Sequence, residues 1–574
     1  MRPTDRLSAW QRLAPAGSAD SPPLAAIEDH LDTPSTVEAL DGAESSANYP
    51  QRILDELRER GLARLFAPAE ATPLHLGALG AVTARRSGSL AITVGVNGLA
   101  LLPVYLAGSP AQQEYVTIRL AEGAAAALLL TEWEHGSNLL RNQATARRDG
   151  DGYRLDGTKH LINGGSRHEM LVALLRTGDA GSRPGPGVRD FSLFLVERDA
   201  SVTALPRRRT LPARAADISG VRFTGTRVPT SALIGVPGEG FAIVQKTLMV
   251  SRGGVAALAS GAVSGARDIA VGYARRRDVY GAPIDTLGAI GEHLVRLAAL
   301  DTVVAAMAVK AACAANLFGP GAGYFAAVAK LVCCRLAEEA VTEGRYVLGA
   351  RALLEELPYP RFVRDVLLYG VFDGTSHLML DDLADRLPRF ATSTPNGRTL
   401  ERTRQVYRTG PRPTAETARL PWRRYAPALP GRCADLFTAS GCDRAHRLAR
   451  AADGLSATVR AARAAGRWDG DQALRFAAAT VLAELEALLA ACELACPRCR
   501  PAAGPAGDAA ETDVAALEYA FEWLGARIAG RLGELARACG TGEADAAIAN
   551  LVGAGTSGRA RDRLRGTLDG RVRS

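Results

Sequence analysis

Few local runs in this chain carry residues that do chemistry by type and spacing alone. Cys492, Cys496 and Cys499 stand close together, and the last two form a CxxC of the kind that binds zinc or exchanges electrons. A structural zinc site needs four ligands, and no His lies nearby, so the cluster reads as a helix end that carries thiols rather than as a metal site. Asp373 precedes Gly374, Thr375 and Ser376, and seen alone an acidic residue in that setting is a helix cap. Arg275, Arg276 and Arg277 form a basic run that suits either solvent or a diphosphate. No GxGxxG follows a strand, and GxxxxGK[ST], HExxH and GxSxG do not occur. Rossmann, P-loop, zinc-hydrolase and serine-hydrolase chemistry therefore have no support.

The elements that must position any site follow from composition and periodicity. At 574 residues, 47% hydrophobic and 23% charged, the chain is an ordinary globular protein of two or more folded units. The formal charge is +8, and from residue 401 onward there are 26 Arg against 20 acidic residues and no Lys. That density reads as a solvated surface, and nucleic acid is not the expected partner. The start of the chain lacks the basic and apolar regions of a secretory signal, which predicts a cytoplasmic protein with reduced thiols. The uncharged run from Ser87 to Gln113 is long enough to span a bilayer, but Asn97, Gly98 and Pro103 interrupt it, so it reads as a buried helix rather than a transmembrane segment.

Residues 1–48, rich in Pro, Ser, Asp and Ala, read as a flexible leader. Helical spacing runs through 49–125, starting with Ile53, Leu54, Leu57 and Leu62. Residues 126–235 change to short alternating runs between Gly- and Asp-rich turns, the texture of a compact β-domain. Long Ala- and Leu-rich helices return over 236–398 as a bundle. Pro-punctuated residues 399–432 read as a linker to a separate helical extension, 433–574. The predicted fold class is α+β.

LTEWEHGSN at 130–138 resembles the LTEPxAGSD signature of acyl-CoA dehydrogenases, and ordered resemblances follow. GDGYRLDGTKHLINGG at 150–165, VRFTGTRVPTSALIGVPGEGF at 221–241, YARRRDVYGAPI at 273–284 and VRDVLLYGVFDGTSHL at 363–378 all resemble segments of the same family. The resemblance covers about residues 50–390 and implies an N-terminal helical domain, a central β-barrel-like domain and a C-terminal four-helix bundle. The extension is similar in length and helical character to that of very-long-chain members. Such proteins bind FAD and oxidise an acyl thioester between its α and β carbons.

Carried over by position, the resemblance implies that Asp373 is the base that removes the α proton, where most of the family has Glu. A carboxylate one methylene shorter falls about 1.5 Å short unless backbone or substrate shifts, and misplacement on that scale can cost about 100-fold. Ser251, at the position where some members carry the base, and Arg252, Gly374 and Ser137 are implied to meet substrate. Leu130, Thr131, Ser137, Leu161, Asn163, Arg277, Tyr280, Tyr346, Thr375 and His377 are implied to meet FAD, with Arg277 and Tyr280 reaching a neighbouring subunit's cofactor in a homo-oligomer, a dimer by preference. Leu161 replaces the family's Trp beside flavin, Trp133 a Pro, Tyr346 a Gln and Ala350 a Gly. Met249 replaces an Asp that touches CoA adenine in some relatives, so the acyl carrier is either CoA or a carrier protein. Two other readings stay open: a flavin monooxygenase or oxidase on the same fold, and a catalytically silent flavoprotein whose Arg-rich extension binds DNA or protein.

Overall fold

The computed structural model describes residues 21–68, 70–178, 187–391, 443–496, 508–541 and 557–568, together with Trp10, Leu13 and Leu551. From residue 21 onward the described residues begin with the helices α1 Pro22–Leu31, α2 Pro34–Ser46, α3 Gln51–Glu59, α4 Leu62–Phe66, α5 Pro73–Ala84, α6 Gly88–Ala107 and α7 Pro110–Ala121. Their starts are written in the sequence. Thr72, Ser87 and Ser109 each accept a backbone N–H three residues on, and Ser109 with Gln112 closes a capping box. The apolar run around Ser87 is α6, whose buried face packs on the helices and the strand beside it.

The expectation of a flexible leader over residues 1–48 fails from residue 21 onward, and most of residues 1–20 lie outside the described residues. Leu24, Ile27, Leu31 and Leu40 are buried, Asp41 pairs with Arg361, and the Trp10 ring lies where a Cβ on Gly77 would come within 2.7 Å. Short Pro-started helices with few apolar positions carry little periodic signal, and it is tertiary burial that stabilises them.

Eight strands then form one sheet: β1 Ala126–Leu129, β2 Thr145–Asp149, β3 Gly152–Asn163, β4 Met170–Arg176, β5 Phe191–Glu197, β6 Val202–Leu205, β7 Ile218–Pro229 and β8 Leu233–Ile234. The order is β6-β7-β3-β2-β4-β5-β8, with β1 parallel to β4. Both faces of β4 are apolar because it separates two cores. Met170, Val172 and Leu174 join the helices, while Leu171, Ala173 and Leu175 meet Phe194, Phe223 and Tyr153 inside the β-domain.

The bundle is α8 Gly240–Arg276, α9 Gly288–Phe318, α10 Gly323–Leu348, α11 Tyr359–Tyr369 and α12 Ser376–Ala391. Between α8 and α9 lies a two-stranded ribbon, β9 Asp278–Val279 and β10 Ala282–Pro283. The extension contributes α13 Asp443–Ala464, α14 Gln472–Ala495, α15 Asp508–Cys539 and α16 Ser557–Leu568. Its helices do not form a core of their own: Leu448, Leu482, Leu489, Leu517 and Leu564 belong to the same buried cluster as the bundle. Lys310 on α9 meets Glu493 at 2.9 Å and Glu486 at 3.3 Å on α14, all three side chains buried. The linker expected over 399–432 lies outside the described residues, as does Cys499, while Cys492 and Cys496 are buried at the end of α14.

Candidate active site

A cavity of about 760 Å³ lies where α5, α6, the β-domain and α8 meet the turn between α11 and α12. That turn carries Asp373. Its backbone is left-handed, with φ of 55° at Asp373 and 91° at Gly374, a conformation that costs a non-Gly residue about 1–2 kcal/mol and that Asp tolerates better than most. Gly374 has no such cost, and a Cβ there would press to 3.3 Å on Arg252 and Met379. The cap of α12 is Thr375, whose Oγ1 accepts the Leu378 N–H at 3.4 Å. Asp373 is thereby free of the capping role that its local sequence suggests, and its side chain faces the cavity.

Three side chains from the bundle fix the turn. Ser251 Oγ on α8 donates to Asp373 Oδ2 at 3.0 Å. Arg252 Nε donates at 3.3 Å to the main-chain oxygen of Asp373, not to its carboxylate. Lys330 on α10, 1% exposed, donates from Nζ to Tyr369 O at 2.8 Å and to Phe372 O. Burial pushes the Asp373 carboxyl above its ordinary range, opposed first by the Lys330 charge, then by the Ser251 hydrogen bond and the Arg252 charge. Burial likewise holds the Lys330 ammonium and the Arg252 guanidinium below theirs.

The opposite wall comes from the β-domain. The loop after β1 is anchored by Lys159, whose Nζ donates to Glu132 Oε1 at 3.0 Å and to Leu130 O at 3.1 Å. Glu132 also accepts the N–H groups of Gln143 and Ala144, so its buried charge is satisfied. Burial lowers the Lys159 ammonium to about 8. A register shift between His160 and Ile162 breaks the β3–β7 ladder and turns Leu161, at φ 56°, into the cavity.

Of the residues expected from the resemblance, Ser251, Arg252, Asp373, Gly374 and Thr375 line one cavity with Leu130, Thr131, Ser137, Leu161 and Asn163. Four do not. Tyr280 stands 94% exposed beside Arg277 at the end of α8, Tyr346 is 55% exposed and stacks on His293 with 5.1 Å between ring centres, and His377 faces Phe476 of the extension. Lys330, Lys159 and Glu132 were not expected. A lone Lys inside the apolar run from Tyr324 to Leu336 was the only signal for Lys330.

Residues 127–226 match the acyl-CoA dehydrogenase middle domain and residues 238–387 the acyl-CoA dehydrogenase C-terminal domain. Over these residues the chain resembles the acyl-CoA dehydrogenases. It is 28% identical over 372 residues to the probable acyl-CoA dehydrogenase FadE25 of Mycobacterium tuberculosis, covering 61% of this chain and 93% of that one. It is 27% identical over 368 residues to the mitochondrial very long-chain specific acyl-CoA dehydrogenase of Mus musculus, covering 62% of this chain and 55% of that one. The fold matches that of the Bacillus anthracis acyl-CoA dehydrogenase complexed with FAD, with a TM-score of 0.77 at 19% identity over 99% of this chain and 98% of that one. The likeness in fold to that structure thus takes in the extension.

The wall around Leu161 suits a flavin. Leu161 offers an apolar face, half exposed to the cavity at 51%. Asn163 donates from Nδ2 to Ile92 O at 2.8 Å and leaves its buried Oδ1 without a hydrogen-bond partner. A buried acceptor left unmet costs about 1–3 kcal/mol, which a flavin N–H or hydroxyl at that wall relieves.

Proposed function

We propose that this chain oxidises the α,β carbon–carbon bond of an acyl thioester, with Asp373 as the base and FAD as the acceptor. The observation that carries the reading is the shared cavity. The Asp373 carboxylate enters it from the bundle, while Leu130, Thr131, Leu161 and Asn163 line its β-domain wall. A thioester held between these walls would present its α proton to the Asp373 carboxylate and its β carbon to the wall that suits a flavin. When bound, FAD would supply the acceptor for the β hydrogen and its electron pair. Asp373 receives the α proton on a carboxylate that burial has made a stronger base than an exposed Asp. The main-chain twist at residues 373 and 374 and the Ser251 hydrogen bond decide where the short side chain points, and so offset the missing methylene.

Arg277 and Tyr280 lie outside the cavity of their own chain, which supports their reaching a neighbouring subunit's cofactor in a homo-oligomer. A DNA-binding extension is disfavoured because Arg444, Arg475, Arg527 and Arg531 already pair with Glu518, Asp381, Glu339 and Glu484. The visible spectrum of the purified protein, titrated anaerobically with acyl-CoA and with acyl-carrier protein, tests the reading. Bleaching of a bound flavin by either supports it and identifies the carrier; a colourless protein that takes up no flavin overturns it.

A further inference from the structure

We propose that Lys330 is the positioning residue of the base: its ammonium closes the turn at residues 369–373 and fixes both the direction and the charge of the Asp373 carboxylate. The inference rests on the reading of Asp373 as the base, and its geometry is independent of any ligand. An ammonium offers three donors. Two of Lys330's go to carbonyl oxygens, those of Tyr369, the last residue of α11, and of Phe372, the residue before Asp373. A cation at that point meets the negative end of α11 and satisfies carbonyls that the helix leaves open. Because Phe372 O is held from one side and Asp373 O from the other by Arg252, the peptide that sets the Asp373 φ has little freedom to turn.

Lys330 lies buried with no carboxylate in ion-pair contact among the described residues, yet Asp373 and Cys334 act on it electrostatically. The charged and titratable groups around the base are Arg252 on α8 and Lys330 on α10. Behind them stand Cys334 beside Lys330, and Asp382 and Arg386 on α12 beside Arg252. Of these, Lys330 pulls most strongly against the burial that would keep Asp373 protonated. Removing its charge while leaving a donor separates a positioning role from plain packing.

The test needs no substrate. In flavin-loaded protein labelled with 13C-aspartate, the carboxylic-acid stretch that Asp373→Asn deletes from the infrared spectrum is titrated in the wild type, Lys330→Arg and Lys330→Gln. The band titrates alike in the wild type and Lys330→Arg, and about 1 pH unit higher in Lys330→Gln. Equal titration in the wild type and Lys330→Gln overturns the proposal. Should Lys330→Gln fail to fold, 15N spectra of the lysine side chains decide, since the chain has only Lys159, Lys246, Lys310 and Lys330. Asp373→Asn moves the Lys330 titration downward if the two are coupled, and an unmoved signal overturns the proposal. Failure of the dehydrogenase reading would show separately, as an unbleached flavin in wild-type protein given thioester.

Discussion

Ser251 and Asp373, 122 residues apart in sequence, share one hydrogen bond of 3.0 Å between α8 and the turn after α11. The hydroxyl donates, so the bond favours the ionised carboxylate. In Ser251→Ala the Asp373 carboxyl becomes harder to ionise. A hydrogen bond to a charged group is worth about 1.5–3 kcal/mol, or about 1–2 pH units. The acid limb of anaerobic flavin reduction by thioester, the arm lost as pH falls, moves up by that amount. An unchanged limb would show that the bond is incidental.

Leu161 sits in a left-handed conformation on a β-bulge and faces the cavity. Leu161→Gly relieves the backbone and removes the apolar face at once, so the two effects oppose. The flavin-free protein gains about 1 kcal/mol of stability by thermal melting, while FAD affinity falls as measured by flavin retention on gel filtration.

The extension is joined to the bundle through buried charge. Lys310→Met leaves Glu486 and Glu493 without their cation. Breaking a buried pair in this way costs about 3–5 kcal/mol. Denaturant unfolding followed at Trp468 and Trp523 of the extension and by flavin release shifts together in this variant, because the core is continuous. An extension that melts alone would contradict that continuity.

Glu44 and Asp365 hold the loop at residues 213–215, which carries part of the cavity wall. Glu44 accepts the Arg214 N–H at 3.1 Å and Asp365 accepts the Ala213 N–H at 2.7 Å. Burial first, then the Glu44 charge, pushes Asp365 up to about 7. A carboxyl raised on folding is protonated in the native state while the unfolded chain has already released its proton. The stability this confers is present below the ordinary Asp range and is lost as pH rises through about 7. Asp365→Asn keeps the Oδ1 acceptor and removes that loss, so its melting temperature exceeds the wild type's by more at pH 8 than at pH 4. A gap that does not widen with pH would exclude titration of Asp365.

Much of this was legible in the sequence. The β-domain and long helices follow from period, and ordered motifs placed Asp373, Leu161 and Asn163 on one cavity. What escaped detection depends on contacts distant in sequence. Helix α1 meets Arg85 through Glu28 and helix α2 is held by Arg361 and Ser89, partners far along the chain, and both helices carry little amphipathic pattern. Lys330 and Lys159 read as lone cations in apolar or mixed runs, and only the fold supplies their carbonyl and carboxylate partners. The Pro-rich stretch before the extension suggested a separate unit, whereas the apolar faces of α14 and α15 complete the core of the bundle.

The most direct measurement compares the wild type with Asp373→Asn in anaerobic stopped flow, both loaded with FAD and mixed with the same acyl thioester. Wild-type flavin bleaches in a single turnover, and Asp373→Asn, binding FAD and thioester alike, bleaches about 100- to 10,000-fold more slowly. Equal rates in the two proteins would contradict the assignment of Asp373 as the base.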